Sequence, residues 1–235
     1  MKASITRIAI LAGLAFSTTA INAEIVNFNM LRLSSEDATV TSPGYGLWDQ
    51  GTEVWNTTNE SSATNLVDST GAATTIGFST TNFGGRNLNA SWGPDLLTSQ
   101  GAFSANDDTT IGQVTISGLT AETPYDIIFY FAANNRNELQ TANGINPVAF
   151  TGSTTTTGNT TYIDASTVDI TSTGAQFWYF DGILPNASNE IVMTISGPGF
   201  ETFTGFQIAS IPEPGTFALL AGILGLTWVM VRRRA

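Results

Sequence analysis

The sequence predicts an all-β fold, a two-layer sandwich with an apolar segment at each end of the chain. Three observations carry this expectation. Short apolar or alternating runs recur between Gly, Pro, Asn and Thr, the pattern of strands joined by turns. Between residues 24 and 211 no stretch keeps a 3.6-residue apolar period long enough for a helix. Only 11% of the 235 residues are charged, against roughly 25% in an average domain, while 42% are hydrophobic, enough for a core.

In chain order, strand patterns fall near Ile25–Met30, Glu53–Trp55, Thr74–Ser79, Ile111–Ile116, Tyr125–Phe131, Pro147–Phe150, Thr160–Asp164, Gln176–Phe180, Glu190–Ile195 and Thr204–Ala209. In Tyr125–Phe131, alternation puts Tyr125, Ile127, Phe129 and Phe131 on one face and Asp126, Ile128 and Tyr130 on the other. A second face that is half apolar suits a central strand of a sandwich. Trp55 and Trp178 lie inside strand patterns and are expected in the core. Gly152–Thr161, with its run Thr154–Thr157, reads as a long loop or hairpin tip, so residues 24–211 form one domain. No periodic repeat is present.

Composition removes whole classes of chemistry. With no His and no Cys there is no Ser-His-Asp triad, no cysteine nucleophile, and no ordinary zinc, haem or iron–sulfur ligand set. Between Glu24 and Ile211 the only cations are Arg32, Arg86 and Arg136, against eighteen acids, a net charge of −15. Such a body repels nucleic acid, anionic phospholipid and anionic polysaccharide unless divalent ions bridge them. Carboxylate chemistry and hard cations remain open, and the one cofactor expectation is a structural calcium ion.

The two ends read as addresses. Met1–Ala23 has cationic Lys2 and Arg7, the apolar run Ile8–Phe16 and a small-residue exit, the three parts of a secretory signal peptide. Cleavage is expected after Ala23, with Ala20 as the second choice. At the other end, Pro212-Glu213-Pro214 leads into the apolar stretch Thr216–Val231, closed by Arg232, Arg233 and Arg234. As a helix this stretch covers about 24 Å, somewhat under the ~30 Å hydrocarbon core, a mismatch that flanking residues and local thinning absorb. The arginines stay on the cytoplasmic side, which places everything before Pro212 outside.

This tail resembles the PEP-CTERM sorting signal of exopolysaccharide-producing Gram-negative bacteria, in the Pro212-Glu213-Pro214 motif, the transmembrane helix Thr216–Val231 and the cluster Arg232–Arg234, in that order. Ile211 stands where Val is commoner. The resemblance covers residues 212–235 and implies an exosortase partner, a membrane-embedded cysteine transpeptidase that cuts near Pro-Glu-Pro. It further implies an inner-membrane intermediate and delivery to the cell surface or the extracellular matrix. A plain tail anchor is the alternative.

Two phrases of the body also carry a resemblance. Ile116-Ser117-Gly118-Leu119-Thr120-Ala121-Glu122-Thr123-Pro124-Tyr125 is similar to the tyrosine corner of fibronectin type III domains, whose phenol bonds back to the turn. The same phrase occurs in jelly-roll carbohydrate-binding modules of the galactose-binding-like type. Trp55-Asn56, Asn65–Gly71, the strand Ala73–Ser79 and the closing Phe203–Ile208 look like the opening and closing strands of those modules. A fibronectin domain takes about 100 residues, too few for this body, so the jelly roll is the closer likeness.

Candidate chemistry follows from these readings. Trp48, beside Tyr45, and Trp92, in Asn89–Pro94, sit in turn-rich settings, where a large ring either plugs an end of the sandwich or forms a platform for a sugar. Asp107 and Asp108, and the phrase Asp68-Ser69-Thr70-Gly71, offer oxygen ligands for calcium or simply a solvated surface; neither matches an EF-hand loop. A glycosidase needs paired carboxylates, for which Asp164 with Asp169 and Asp181 with Glu190 are candidates, but no Glu-x-Asp-x-x-Glu strand is present. The expectation is a non-enzymatic structural or adhesive protein of the exopolysaccharide matrix that contacts glycans. A carbohydrate-active enzyme and a simple tail-anchored surface protein are the alternatives.

Overall fold

The computed structural model describes residues 24–30, 38–41, 46–48, 52–85, 102–104, 111–131, 139–151, 162–166, 175–196 and 202–211, together with 222 and 230. Within these, the chain is an all-β sandwich. The signal peptide 1–23, Pro212–Pro214 and Arg232–Arg234 lie outside the described residues. Of Thr216–Val231 only Gly222 and Met230 are described, both helical, and among the described residues no helix is long and apolar enough to cross a membrane.

The strands are β1 (Ile25–Met30), β2 (Ala38–Thr41), β3 (Val54–Thr58), β4 (Ser62–Ala63), β5 (Gly77–Thr81), β6 (Phe83–Gly85), β7 (Ala102–Ser104), β8 (Gly112–Ser117), β9 (Tyr125–Phe131), β10 (Leu139–Ala142), β11 (Tyr162–Asp164), β12 (Ala175–Ile183), β13 (Ile191–Ser196), β14 (Thr202–Phe203) and β15 (Gly205–Ser210). A seven-stranded sheet runs β11-β12-β9-β15-β1-β3-β2, a five-stranded sheet β10-β13-β8-β5-β4, and a small third sheet β14-β7-β6. Pairing is antiparallel except for β1 with β3 and β11 with β12.

The two large sheets face each other across one apolar core. On the facing side of the large sheet, β1 supplies Val26, Phe28 and Met30, β9 Ile127, Phe129 and Phe131, and β15 Phe206 and Ile208. The smaller sheet answers with Phe78, Val114, Ile116, Ile191, Met193 and Ile195. Strict alternation in β8 and β13, buried then half-buried, is the mark of a sheet with one face on the core. Phe28 meets Phe78 across the layers at 4.2 Å between centroids, while within the large sheet Phe131 of β9 stacks on Trp178 of β12 at 3.6 Å. Trp55 and Trp178 are both buried, as their strand settings predict.

Several strand boundaries move, and each shift has a local cause. The expected strand at Pro147–Phe150 reduces to one bridge, Val148 with Tyr179, whose N–H···O distance is 2.8 Å. Proline carries no N–H to continue a ladder. The strand expected from Thr74 begins at Gly77, because Thr74 and Ile76 bond instead to Leu66. The one expected from Glu190 begins at Ile191, since Glu190 closes the turn at Asn186 through bonds of 2.8 and 3.1 Å. β2, β4, β6, β7, β10 and β14, four residues or fewer each, escape the sequence reading altogether.

The tyrosine corner forms. The Tyr125 hydroxyl accepts the Thr120 N–H at 3.0 Å, and Gly118 (φ +73°) and Glu122 (φ +61°) turn the chain between β8 and β9. Beside it, where Ser210 of β15 pairs with Tyr125, the Ser210 N–H donates to the Glu24 carbonyl at 3.1 Å and the Glu24 N–H to the Ser210 hydroxyl at 3.2 Å. The first and last strands of the body are therefore neighbours, paired from Ile25 with Ala209 to Asn29 with Gly205.

Candidate functional site

The outer face of the seven-stranded sheet is where the unusual chemistry gathers. Alternation puts Asn27 and Asn29 of β1, Gln207 of β15, Asp126, Ile128 and Tyr130 of β9, and Phe177, Tyr179 and Asp181 of β12 away from the main core. An outer face of a sandwich ordinarily meets water. Here it is partly covered: Leu47, Trp55, Ile128, Tyr130 and Phe177 form a second buried cluster, with Trp48, Phe150 and Tyr179 half-buried against it.

A chain of hydrogen bonds fastens the covering segment 46–48 to the sheet. The Leu47 N–H donates to the Tyr130 hydroxyl at 2.8 Å, and that hydroxyl donates to Gln207 Oε1 at 2.6 Å. The Trp48 N–H reaches the same Oε1 at 3.2 Å. Gln207 Nε2 donates to Asn27 Oδ1 at 2.8 Å, and Asn27 Nδ2 to the Val54 carbonyl at 3.1 Å. Gln207 and Asn27 are fully buried, so each of these bonds replaces water that cannot enter. Gly46 fits because a Cβ there would come within 2.7 Å of the Trp55 ring and run into Gln207.

This strap places Trp48 edge-on against Tyr179, centroids 6.5 Å apart at 88°. Phe150 meets Tyr179 at 5.2 Å and Phe177 at 5.5 Å, both nearly perpendicular. Phe150 is positioned in turn by Asp164, whose Oδ2 accepts its N–H at 2.7 Å while Oδ1 accepts the Ser166 N–H and hydroxyl at 2.9 and 2.6 Å. Asp164 is thus committed to holding a turn, and its expected partner Asp169 lies outside the described residues.

The Tyr179 hydroxyl interacts with the carboxylates of Asp126 and Asp181, and Asp181 also acts on Asp126. Burial, then the two neighbouring carboxylates, push the Tyr179 hydroxyl well above its ordinary value, so it remains a donor. Burial also raises Asp126, with Asp181 acting in the same direction, while hydrogen bonds from Gly182 and Tyr179 oppose the rise. Asp181 therefore acts on Asp126, a partner that the sequence reading does not offer. No spacing rule could have found this pair, because its members are joined only by the register of β12 on β9.

The acids considered for calcium separate in the same way. Burial works to raise Asp68, but bonds from the Thr70 hydroxyl and from the Ala72, Thr70 and Gly71 backbone outweigh it and hold the carboxyl below its ordinary range. Its Oδ1 accepts three of these donors at 2.7–2.9 Å, so Asp68 closes its own turn. Asp107 and Asp108 lie outside the described residues, and among the described residues no three acids come together as a metal site. Of the aromatic candidates, Trp48 takes its place beside Tyr179, whereas Tyr45 and Trp92 lie outside the described residues. Tyr179 and Asp126, members of the structural site, look in sequence like ordinary strand residues. No family model, curated protein or solved structure matches the chain.

Proposed function

We propose that the chain is an exported, exosortase-sorted protein whose jelly-roll-like body serves as a non-enzymatic structural or adhesive component of an exopolysaccharide matrix and contacts glycans through the Trp48–Tyr179 edge. The single observation that carries the glycan reading is the half-buried Trp48 ring standing against Tyr179, with the Asp126 and Asp181 oxygens beside them. An aromatic ring offers an apolar surface for a sugar ring, and carboxylate oxygens accept its hydroxyl hydrogens. The routing part rests on the resemblance of residues 212–235 and the leader at 1–23. The jelly-roll likeness is supported by the adjacency of β1 and β15 and by the tyrosine corner.

Two measurements test the proposal separately. Trp48→Ala is expected to weaken retention on neutral polysaccharide affinity gels about tenfold, ~1.4 kcal/mol of binding free energy. Unchanged retention on every polysaccharide that the unaltered protein binds defeats the glycan reading at Trp48. The mass of the mature protein from cells with and without the exosortase tests sorting. A C-terminus near Pro212–Pro214 only when the enzyme is present is the expected result, and an intact Arg232–Arg234 end in both cells means a plain anchor.

A further inference from the structure

We propose that Asn143–Gly144 is a deamidation site which the fold holds unreactive, and that its conversion to aspartate or isoaspartate frees the edge strand β10 permanently. Asn143–Gly144 is the only Asn-Gly step in the chain. It forms the two-residue turn of a hairpin: the Ala142 N–H donates to the Ile145 carbonyl and the Ile145 N–H to the Ala142 carbonyl, both at 2.9 Å. Both central residues have positive φ, +49° at Asn143 and +81° at Gly144, as a type I′ turn requires. Asn followed by Gly is the pair such a turn favours, so the turn itself selects a reactive sequence.

The reaction needs only water. The Gly144 nitrogen attacks Cγ of Asn143, and the new N–C bond closes a five-membered succinimide ring. The Cγ–Nδ2 bond breaks, and ammonia leaves with the proton given up by the Gly144 N–H. Water then opens the ring at one of its two carbonyls, giving aspartate or, with the chain now running through the side-chain carbon, isoaspartate. Glycine favours the attack because no Cβ crowds its nitrogen. Gly144 is exposed, with nothing within 4 Å of where a Cβ would stand.

The Asn143 amide is what holds the reaction back. Its Oδ1 accepts the Val192 N–H at 2.9 Å, and its Nδ2 donates to the Leu184 carbonyl at 2.9 Å and the Glu190 carbonyl at 3.2 Å. The Asn143 N–H also donates to the Val192 carbonyl at 3.0 Å, so side chain and backbone together continue the β10–β13 pairing by one residue. Turning Cγ onto the Gly144 nitrogen breaks the side-chain bonds, so reaction waits on local opening of the hairpin.

Conversion is one-way, because ammonia is lost. Either product puts a carboxylate where the amide NH2 was, facing the Leu184 and Glu190 carbonyls with no hydrogen to offer them. Isoaspartate also lengthens the backbone by one carbon, and a two-residue turn no longer closes between Ala142 and Ile145. β10 is an edge of the five-stranded sheet, bonded to β13. Its release makes β13 the new edge, with a row of unpaired N–H and C=O groups.

The test incubates the full-length protein in mildly alkaline buffer, folded and in urea. Peptide mapping that separates the Asn, Asp and isoaspartyl forms follows position 143. In urea, Asn143 should convert ahead of every other asparagine. In the folded protein it should convert about a hundredfold more slowly, the factor that three hydrogen bonds of ordinary net strength supply. Asn143→Asp carries the product side chain from the start, and its amide exchange along β10 should be about tenfold faster while that of β9 is unchanged. Equal conversion rates in the folded and unfolded chain overturn the restraint, and another asparagine leading in urea overturns the site. Unchanged exchange along β10 overturns the release. The rate comparison uses the unaltered protein, so it decides even where the variant fails to fold.

Discussion

Gln207→Leu lowers the unfolding free energy by about 3–5 kcal/mol, the lower part of the range given by about 1–3 kcal/mol for each of three polar groups that lose a bond, since Trp48 is only half-buried. Three bonds are lost together. The Tyr130 hydroxyl loses its acceptor, Asn27 Oδ1 loses its donor, and the Trp48 N–H loses the oxygen at 3.2 Å. Leucine matches the volume of the amide side chain but supplies none of these atoms. Tyr130→Phe gives a graded comparison, since it removes only the hydroxyl that joins Leu47 to Gln207 and should cost about 1–2 kcal/mol. Urea unfolding measures both, and amide exchange at Leu47 and Trp48 should speed up before the core opens. A loss under about 1 kcal/mol for Gln207→Leu would show that water reaches this face.

Gly118→Ala is the second large effect, at about 3 kcal/mol or more. Two penalties coincide there. The backbone lies at φ +73°, where a side chain is strained, and a Cβ would run into the Thr75 carbonyl, with its carbon only 2.8 Å away. The Thr75 hydroxyl also donates to the Gly118 carbonyl at 2.7 Å, so relief by moving either segment breaks a bond between the approach to β5 and the turn after β8 at the tyrosine corner. Gly144→Ala isolates the first penalty. Its φ is +81°, yet nothing lies within 4 Å of the added atom, and a cost of only about 1–2 kcal/mol is expected. Equal losses for the two substitutions would mean that the close approach to Thr75 contributes nothing.

What the sequence shows and what it conceals divides along physical lines. β1 and β9 run from Ile25 to Met30 and from Tyr125 to Phe131, as the apolar patterns predict, because long runs of large residues leave little choice of face. The corner at Tyr125 is equally plain, since its turn chemistry is local. Short strands such as β4 and β14 owe their existence to a partner across the sheet and have no pattern of their own. The candidate site was half visible. Trp48 stands out as a large ring in a turn, but the residues it meets come from β12 and β15, more than 125 positions later. Ile128 and Tyr130 announce that the second face of β9 is not purely wet, whereas the burial of Asn27 and Gln207 there contradicts their polarity until the network is seen. The acid pairs that the sequence offers, Asp164 with Asp169 and Asp181 with Glu190, are close along the chain, whereas the pairing of β12 with β9 brings Asp181 to Asp126.

The position of β15 has a consequence for how the body is made. The strand nearest the end of the body, Gly205–Ser210, is inserted between β1 and β9 in the middle of the large sheet. While a ribosome is still adding residues, the earlier strands have a hole where their central neighbour belongs, and the buried rings on both sides of it stay uncovered. Completion waits for nearly the whole body to emerge, so a partly made chain cannot yet close its central sheet.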